Sequence, residues 1–249
     1  MFGIAGLVEG LAARRAQEEC PRRMAQATPW SPSIAWAPEM NIRADSYNTT
    51  VLFPETTIVK GLDFSPEATA NRSPDGRFCY CRRLLPAGAR LATYSGSRRG
   101  TVLFDGPVEI QGLYSLGRLY RGDRAPWMSL TPMEVMSLRS GTRLAKGHVV
   151  IAGLGLGHQL IEVAKRKQVT KITLVECEQT IVDWILPRVR QYLPANVDLE
   201  VIVGDACTLI PKMTADVALI DIYPHYGDNE FPTCPNIPRV WVWGSARIG

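Results

Sequence analysis

One glycine cluster and three acidic residues, each closing an apolar run, carry most of the chemistry this sequence can offer. The glycines are Gly153, Gly155 and Gly157 in Gly153-Leu154-Gly155-Leu156-Gly157. Glu176 follows Lys171-Ile172-Thr173-Leu174-Val175, Asp205 sits in Gly204-Asp205-Ala206, and Asp221 follows Asp216-Val217-Ala218-Leu219-Ile220. Glycine lets the backbone turn sharply and lets a ligand approach the main chain. The free amides of a helix start favour an anionic or carboxylate-bearing ligand. A carboxylate at the end of the following strand can accept from both ribose hydroxyls of a nucleotide. An acid beside the small Ala206 can receive an adenine amino group. A crevice acid such as Asp221 can orient or deprotonate an amine or hydroxyl. Each residue also has a plain structural explanation: a tight turn, a helix cap, a loop-organising acid. Three acids at successive strand ends, in order, are hard to obtain by chance.

The glycine spacing narrows the ligand. The dinucleotide fingerprint is GxGxxG, whereas here the third glycine comes one position early and His158 stands where Gly or Ala packs the helix close. That disfavours a nicotinamide dinucleotide. No GxxxxGK[ST] occurs, so a phosphate-cradling loop is not expected.

Strands and helices must alternate to bring these residues together. His148-Val149-Val150-Ile151-Ala152 reads as a buried strand before the glycines. Leu160, Ile161, Val163 and Ala164 form the apolar stripe of the next helix, with Lys165-Arg166-Lys167 at its negative end. A second helix is expected over 178–192, kinked or broken near Leu186 by Pro187. A strand over Leu199–Val203, a short helix over Cys207–Met213 and a last strand over Arg239–Trp243 complete the pattern. Strand–helix alternation of this kind predicts an α/β unit with a mostly parallel sheet.

Upstream the pattern differs. Residues 1–40 form an arm followed by a segment with Pro29, Pro32, Pro38, Trp30 and Trp36. Residues 41–125 read as a small β domain. Its expected strands are Thr49–Phe53, Thr56–Gly61, Arg77–Leu85, Arg90–Tyr94, Thr101–Phe104 and Val108–Tyr114. Turns such as Ser73-Pro74-Asp75-Gly76 and Asp105-Gly106-Pro107 separate them. Residues 126–249 form the cofactor-binding domain. It opens with a helix capped by Ser129 or Thr131, started by Pro132, favoured by Glu134 in its first turn and stopped at Gly141.

Composition sets limits. The chain of 249 residues is 46% hydrophobic and 21% charged, with net charge +4, as ordinary globular domains are. Its Lys and Arg are scattered, so a nucleic-acid partner is not expected. The six cysteines, Cys20, Cys79, Cys81, Cys177, Cys207 and Cys234, lack paired CxxC spacing; they read as reduced thiols, with no metal site. Met1–Ala13 makes a poor signal peptide, and no apolar run is long enough to span a membrane. A cytoplasmic location is expected. Among the histidines, His148 reads as structural, His158 as covering the glycine turn, and His225 as a loop residue.

Gly153-Leu154-Gly155-Leu156-Gly157, Glu176, Gly204-Asp205-Ala206 and Asp221 resemble the successive motifs of class I S-adenosylmethionine-dependent methyltransferases. The spermidine-synthase-like branch is the closer likeness, since Leu103-Phe104-Asp105-Gly106-Pro107-Val108-Glu109-Ile110-Gln111 is similar to its upstream hairpin. The resemblance implies a Rossmann-like, mostly parallel sheet with an N-terminal antiparallel β region. It implies S-adenosylmethionine as cofactor. Gly153, Gly155 and Gly157 would meet its methionine part, Glu176 its ribose, and Asp205 with Ala206 its adenine. Asp221 would stand at the reaction centre, with Tyr223, His225 and Tyr226 shaping the acceptor pocket.

The departures bear on the reaction. Tyr223 stands where the aminopropyltransferase loop carries a second acid, and Trp127-Met128-Ser129 replaces that branch's Tyr-His-Glu segment. Methyl transfer to a small-molecule or protein acceptor is therefore expected ahead of aminopropyl transfer. A catalytically idle cofactor-binding or assembly protein is the third reading. The family's last two strands have no counterpart here, so the sheet is expected to be shortened, with its edge covered by the N-terminal arm or by a second copy of the chain.

Overall fold

The computed structural model describes residues 40–44, 47, 49–60, 71–95, 98–120, 123–222 and 231–243. The expected arm, apart from Met40, and Tyr223, His225 and Tyr226 lie outside the described residues.

The N-terminal region is β structure in two sheets. Its strands are β1 (Met40–Ile42), β2 (Ile58–Lys60), β3 (Asn71–Arg72), β4 (Phe78–Leu85), β5 (Arg90–Ser95), β6 (Arg98–Phe104), β7 (Val108–Tyr120) and β8 (Asp123–Leu130). One sheet has the order β1-β6-β5; the other runs β2-β4-β7-β8, with β3 paired to β4. The β3–β4, β4–β7, β5–β6 and β7–β8 pairs are antiparallel, while β1–β6 and β2–β4 are parallel.

Two expectations fail here for a physical reason. Thr49–Phe53 is not a strand. Its carbonyls take side-chain donors instead of a ladder. Gln111 Nε2 donates to Thr50 O at 3.1 Å, Tyr192 Oη to Val51 O at 3.2 Å, and Arg188 Nη1 to Leu52 O at 3.1 Å. The segment is thereby tied down while keeping its backbone polar groups satisfied. Conversely, β8 crosses the expected junction between residues 125 and 126. It pairs along β7, from Gln111 opposite Leu130 to Tyr120 opposite Asp123, so long-range pairing overrides Pro126.

The α/β unit follows. Helix α1 (Pro132–Leu144) leads into β9 (Gly147–Ala152), α2 (His158–Ala164), β10 (Val169–Glu176), α3 (Gln179–Arg190) and β11 (Leu199–Val203). Next come α4 (Ala206–Leu209), a 3₁₀ turn (Ile210–Lys212), β12 (Val217–Ile220) and β13 (Val240–Val242). The sheet order is β11-β10-β9-β12-β13, and every pairing is parallel. Val149–Ala152 and Val217–Ile220 are buried throughout, as the covered inner strands of a parallel sheet require. The chain winds outward from β9 to β11, then reverses to β12 and β13. The switch point between β9 and β12 is where such sheets place ligands.

Two helix expectations are corrected. Gly141 does not stop α1 but lies inside it. A Cβ there would come within 2.5 Å of the Trp241 ring, so the glycine serves a close approach. Trp241 and Trp243 also donate their indole N–H groups to Ser140 and Ser137 of α1, both at 2.9 Å. Helix α3 continues through Pro187 without a break. Proline removes one bond to the carbonyl of Asp183, but both residues are exposed, so water can take that carbonyl.

Candidate functional site

The glycine turn joins the end of β9 to α2. Gly153, Gly155 and Gly157 have φ of 95°, 49° and 70°, the left-handed region that favours glycine. Their neighbours explain why no side chain fits. A Cβ on Gly153 would overlap the carbonyl oxygen of Asp221, and one on Gly155 would overlap Met128 Sδ. Met128, at the end of β8, also accepts the Leu156 amide at 2.8 Å. The thioether therefore rests on the turn that leads into α2. A sulfur is a weak acceptor, so a carboxylate reaching that amide has little to displace.

Glu176 closes β10 beneath this turn and is 3% exposed. Its Oε2 accepts the Leu154 amide at 2.8 Å and its Oε1 accepts the Glu178 amide at 2.9 Å. Burial pushes its carboxyl up, and the two amides pull it back. The Cys177 side chain also hydrogen-bonds to this carboxylate, which keeps acceptor capacity that a ribose hydroxyl can use.

Asp205 is buried at the start of α4. Oδ1 accepts the Cys207 amide at 2.9 Å and Oδ2 accepts the Thr208 hydroxyl at 3.0 Å. It is thus a working helix cap, and Ala206 beside it is buried. The capping geometry leaves one lone pair per oxygen for a further donor.

Asp221 follows β12. Its amide donates to Ala152 O at 2.9 Å, which holds the ends of β12 and β9 together beside Gly153. The residue keeps some surface, yet its carboxyl is desolvated and pushed well above the ordinary aspartate range. The Glu134 and Glu176 carboxylates add to that rise. No side-chain donor reaches it among the described residues.

Glu134 is the residue that sequence reasoning placed only as a dipole partner. It is 8% exposed and accepts the Ser129 hydroxyl at 2.7 Å. Burial raises its carboxyl to about 7 against the Ser129 bonds that lower it. The crevice therefore holds a second acid near Asp221, delivered by α1 rather than by the loop after β12. The signal in the sequence was present but ambiguous, because an acid in a first helical turn is common.

Other residues frame the turn. His158 is buried directly after Gly157 and kept neutral by that burial. Gln159, in the first turn of α2, is buried with both amide atoms unpartnered among the described residues. His148 is structural: its amide donates to Asp216 and its ring meets Thr173 Oγ1 at 2.9 Å. Among the described residues there is no cluster of His, Cys, Asp or Glu able to hold a metal, and no helix long and apolar enough to cross a membrane. Cys79, Cys81, Cys177, Cys207 and Cys234 form no disulfide among the described residues.

No family model and no curated protein matches this chain. Solved structures do. Spermidine synthase from Thermotoga maritima matches at 18% identity with a TM-score of 0.32, covering 44% of this chain and 42% of that one. A SAM-dependent methyltransferase from Thiobacillus denitrificans, in complex with S-adenosyl-L-homocysteine, matches at 24% identity and 0.27, covering 36% of each. Precorrin-8w decarboxylase from Methanobacterium thermoautotrophicum matches at 26% identity and 0.29, covering 36% and 48%. The chain spans less than half the length of each of these proteins. The α/β unit is similar to such Rossmann-like folds, and that reading stands on its strand order and glycine turn.

Proposed function

We propose that the protein is an S-adenosylmethionine-dependent methyltransferase acting on a small-molecule or protein acceptor. The observation that carries this reading is the meeting of the glycine turn, Glu176 and Asp221 at the β9–β12 switch point. The residues fit such a cofactor in three respects. The left-handed turn sets the Leu156 amide against a displaceable thioether, the buried Glu176 has acceptor capacity left, and Gln159 adds a buried amide unpaired among the described residues.

When bound, the cofactor supplies an electrophilic methyl group on a sulfonium. Gly153, Gly155 and Gly157 line its methionine part, Glu176 holds the ribose hydroxyls, and Asp205 with Ala206 borders the adenine. Asp221 orients the acceptor and takes its proton. A carboxyl raised by burial is a stronger base when ionised, which suits that role. Tyr223, two residues after Asp221 in the chain, is proposed for the acceptor side from the sequence alone. The protein's share of the work is positioning and the exclusion of water.

One observation favours a second reading, aminopropyl transfer from the decarboxylated cofactor. Glu134 gives the crevice the second acid that the loop lacks at Tyr223. A calorimetric and thermal-shift panel separates the two. Stabilisation by S-adenosylmethionine and S-adenosylhomocysteine is expected, with none by NAD. A shift confined to the decarboxylated form favours aminopropyl transfer, and no shift with any adenosyl ligand refutes both. Glu176→Ala should weaken binding at least about tenfold, because charged hydrogen bonds to ribose are strong.

A further inference from the structure

We propose that Arg77, in the β region, is a positioning residue for Glu176, acting through Glu178. The inference rests on the proposed function only for what Glu176 binds.

Four polar side chains tie the turn before β4 to the first turn of α3. Arg77 Nη2 lies 2.7 Å from Glu178 Oε2, an ion pair by distance rather than an aligned hydrogen bond. The same nitrogen donates to Thr180 Oγ1 at 2.8 Å. Arg77 Nε meets Asp75 Oδ2 at 2.6 Å. The Thr180 hydroxyl donates to the same oxygen at 2.7 Å. Asp75 Oδ1 in turn accepts the Ser73 hydroxyl at 2.7 Å and the Arg77 amide at 3.0 Å. Burial works against the Asp75 charge, but the Thr180, Ser73 and Arg77 bonds outweigh it and hold the carboxyl well below its ordinary range. The knot thus joins the Asp75 and Glu178 carboxylates through one guanidinium.

Glu178 is the link to the site. It is 1% exposed, and its amide is one of the two that hold the Glu176 carboxylate. It occupies the cap position of α3, yet its side chain makes no capping bond. A Ser, Thr, Asp or Asn would be the ordinary choice there. Burying a carboxylate is costly unless it is paired, and Arg77 is its cation. Glu178 thus makes sense as an anchor: it fixes the backbone of the Glu176–Glu178 corner to a turn in another region. Acceptor placement within about half an ångström matters for ligand binding. Without Arg77 the buried Glu178 carboxylate loses its cation and is driven from its site, which moves the amide that orients Glu176.

The test uses the full-length chain and two readouts. The first needs no ligand: hydrogen exchange at the Leu154 and Glu178 amides. Arg77→Met should speed exchange at both at least about tenfold, with Val149–Ala152 unchanged. The second is S-adenosylhomocysteine affinity, expected to fall at least about tenfold in the same variant and to recover in Arg77→Met/Glu178→Gln, where the buried side chain is neutral. Thr180→Val, a milder lesion, should move both readouts less and in the same direction. Unchanged exchange at Leu154, or equal acceleration along all of β9, overturns the proposal. So does an Arg77→Met protein whose affinity equals that of the wild type. If the wild type binds no adenosyl ligand while the exchange results hold, the positioning stands and the functional reading falls.

Discussion

At the end of β10 a buried carboxylate is met by two backbone amides and braced from another region. At the end of β12 a desolvated carboxyl faces two other acids and meets no donor among the described residues. Burial raises Glu176 and Asp221 alike, but only Glu176 has amides that offset it. The first end is built to keep an anion in one place. The second is built so that its charge is easily neutralised, which is what a group that accepts or binds a proton-bearing partner requires. The Glu176 end of the crevice is therefore firmly held, and the Asp221 end is chemically unsettled.

Gly153 sits between the two ends, and replacing it should have the largest effect. A Cβ there meets backbone, the Asp221 carbonyl, at φ of 95°, and neither can yield. Gly153→Ala is expected to cost about 4 kcal/mol or more, or to prevent folding. Gly155→Ala meets only the flexible Met128 side chain and should cost about half as much. Equal losses in chemical denaturation would show that the seam between the ends is not special.

Glu176→Gln comes next. The amide can satisfy one of the two backbone N–H groups and turns its own donor on the other, so about 1–3 kcal/mol of stability should go. Asp221→Asn should behave in the opposite way. It removes repulsion from Glu134 and Glu176 without stranding a donor, so stability at pH 8 should hold within about 0.5 kcal/mol or rise. Turnover should still collapse while adenosyl affinity is kept. If the Asp221→Asn variant proves less stable than the Glu176→Gln variant, the contrast between the two ends is erased.

The smallest effect is on pH dependence. Glu134 has a folded value of about 7, above its unfolded value, so the folded chain keeps a proton that the unfolded chain has lost. Its contribution is whole below the ordinary glutamate range and disappears as pH rises to about 7. Asp221 has the same sign. Asp75 has the opposite one, contributing above the ordinary aspartate range and losing that contribution as pH falls. Glu134 and Asp221 should therefore draw stability down between pH 5 and pH 7.5, against the rise that buried His158 gives up to the ordinary histidine range, and Glu134→Gln should remove part of that downward pull. Parallel melting-temperature curves for the two proteins would remove Glu134 from the acidic group.

Much of the α/β unit was legible because its signals are local. Val149–Ala152 and Val217–Ile220 are continuous apolar runs, and each ends where an acid or a glycine must appear. The glycine turn and Glu176 came together as their spacing implied. Residues whose role depends on a distant partner were not legible. Thr49–Phe53 has strand composition, but Gln111, Arg188 and Tyr192 take its carbonyls. Gly141 reads as a stop until Trp241 is laid against it. Asp205 stood at the expected strand end, and only the structure reveals how fully its oxygens serve α4. Asp75 read as turn punctuation, yet it carries part of the brace on Glu178. Periodicity reports which face is buried; it does not report which buried charge another region will supply.

The reversal in strand order has a consequence for how the chain is made. Strands β9, β10 and β11 emerge from the ribosome in sequence and can pair outward as they appear. β12 and β13 belong on the other flank of β9 and come later. Until residue 220 has been synthesised, one side of β9 offers four consecutive buried residues and an open row of amides and carbonyls. That is a template for pairing with another nascent chain. Products truncated between β11 and β12 should therefore aggregate, while the glycine turn of the finished chain is locked only when Asp221 closes over Gly153.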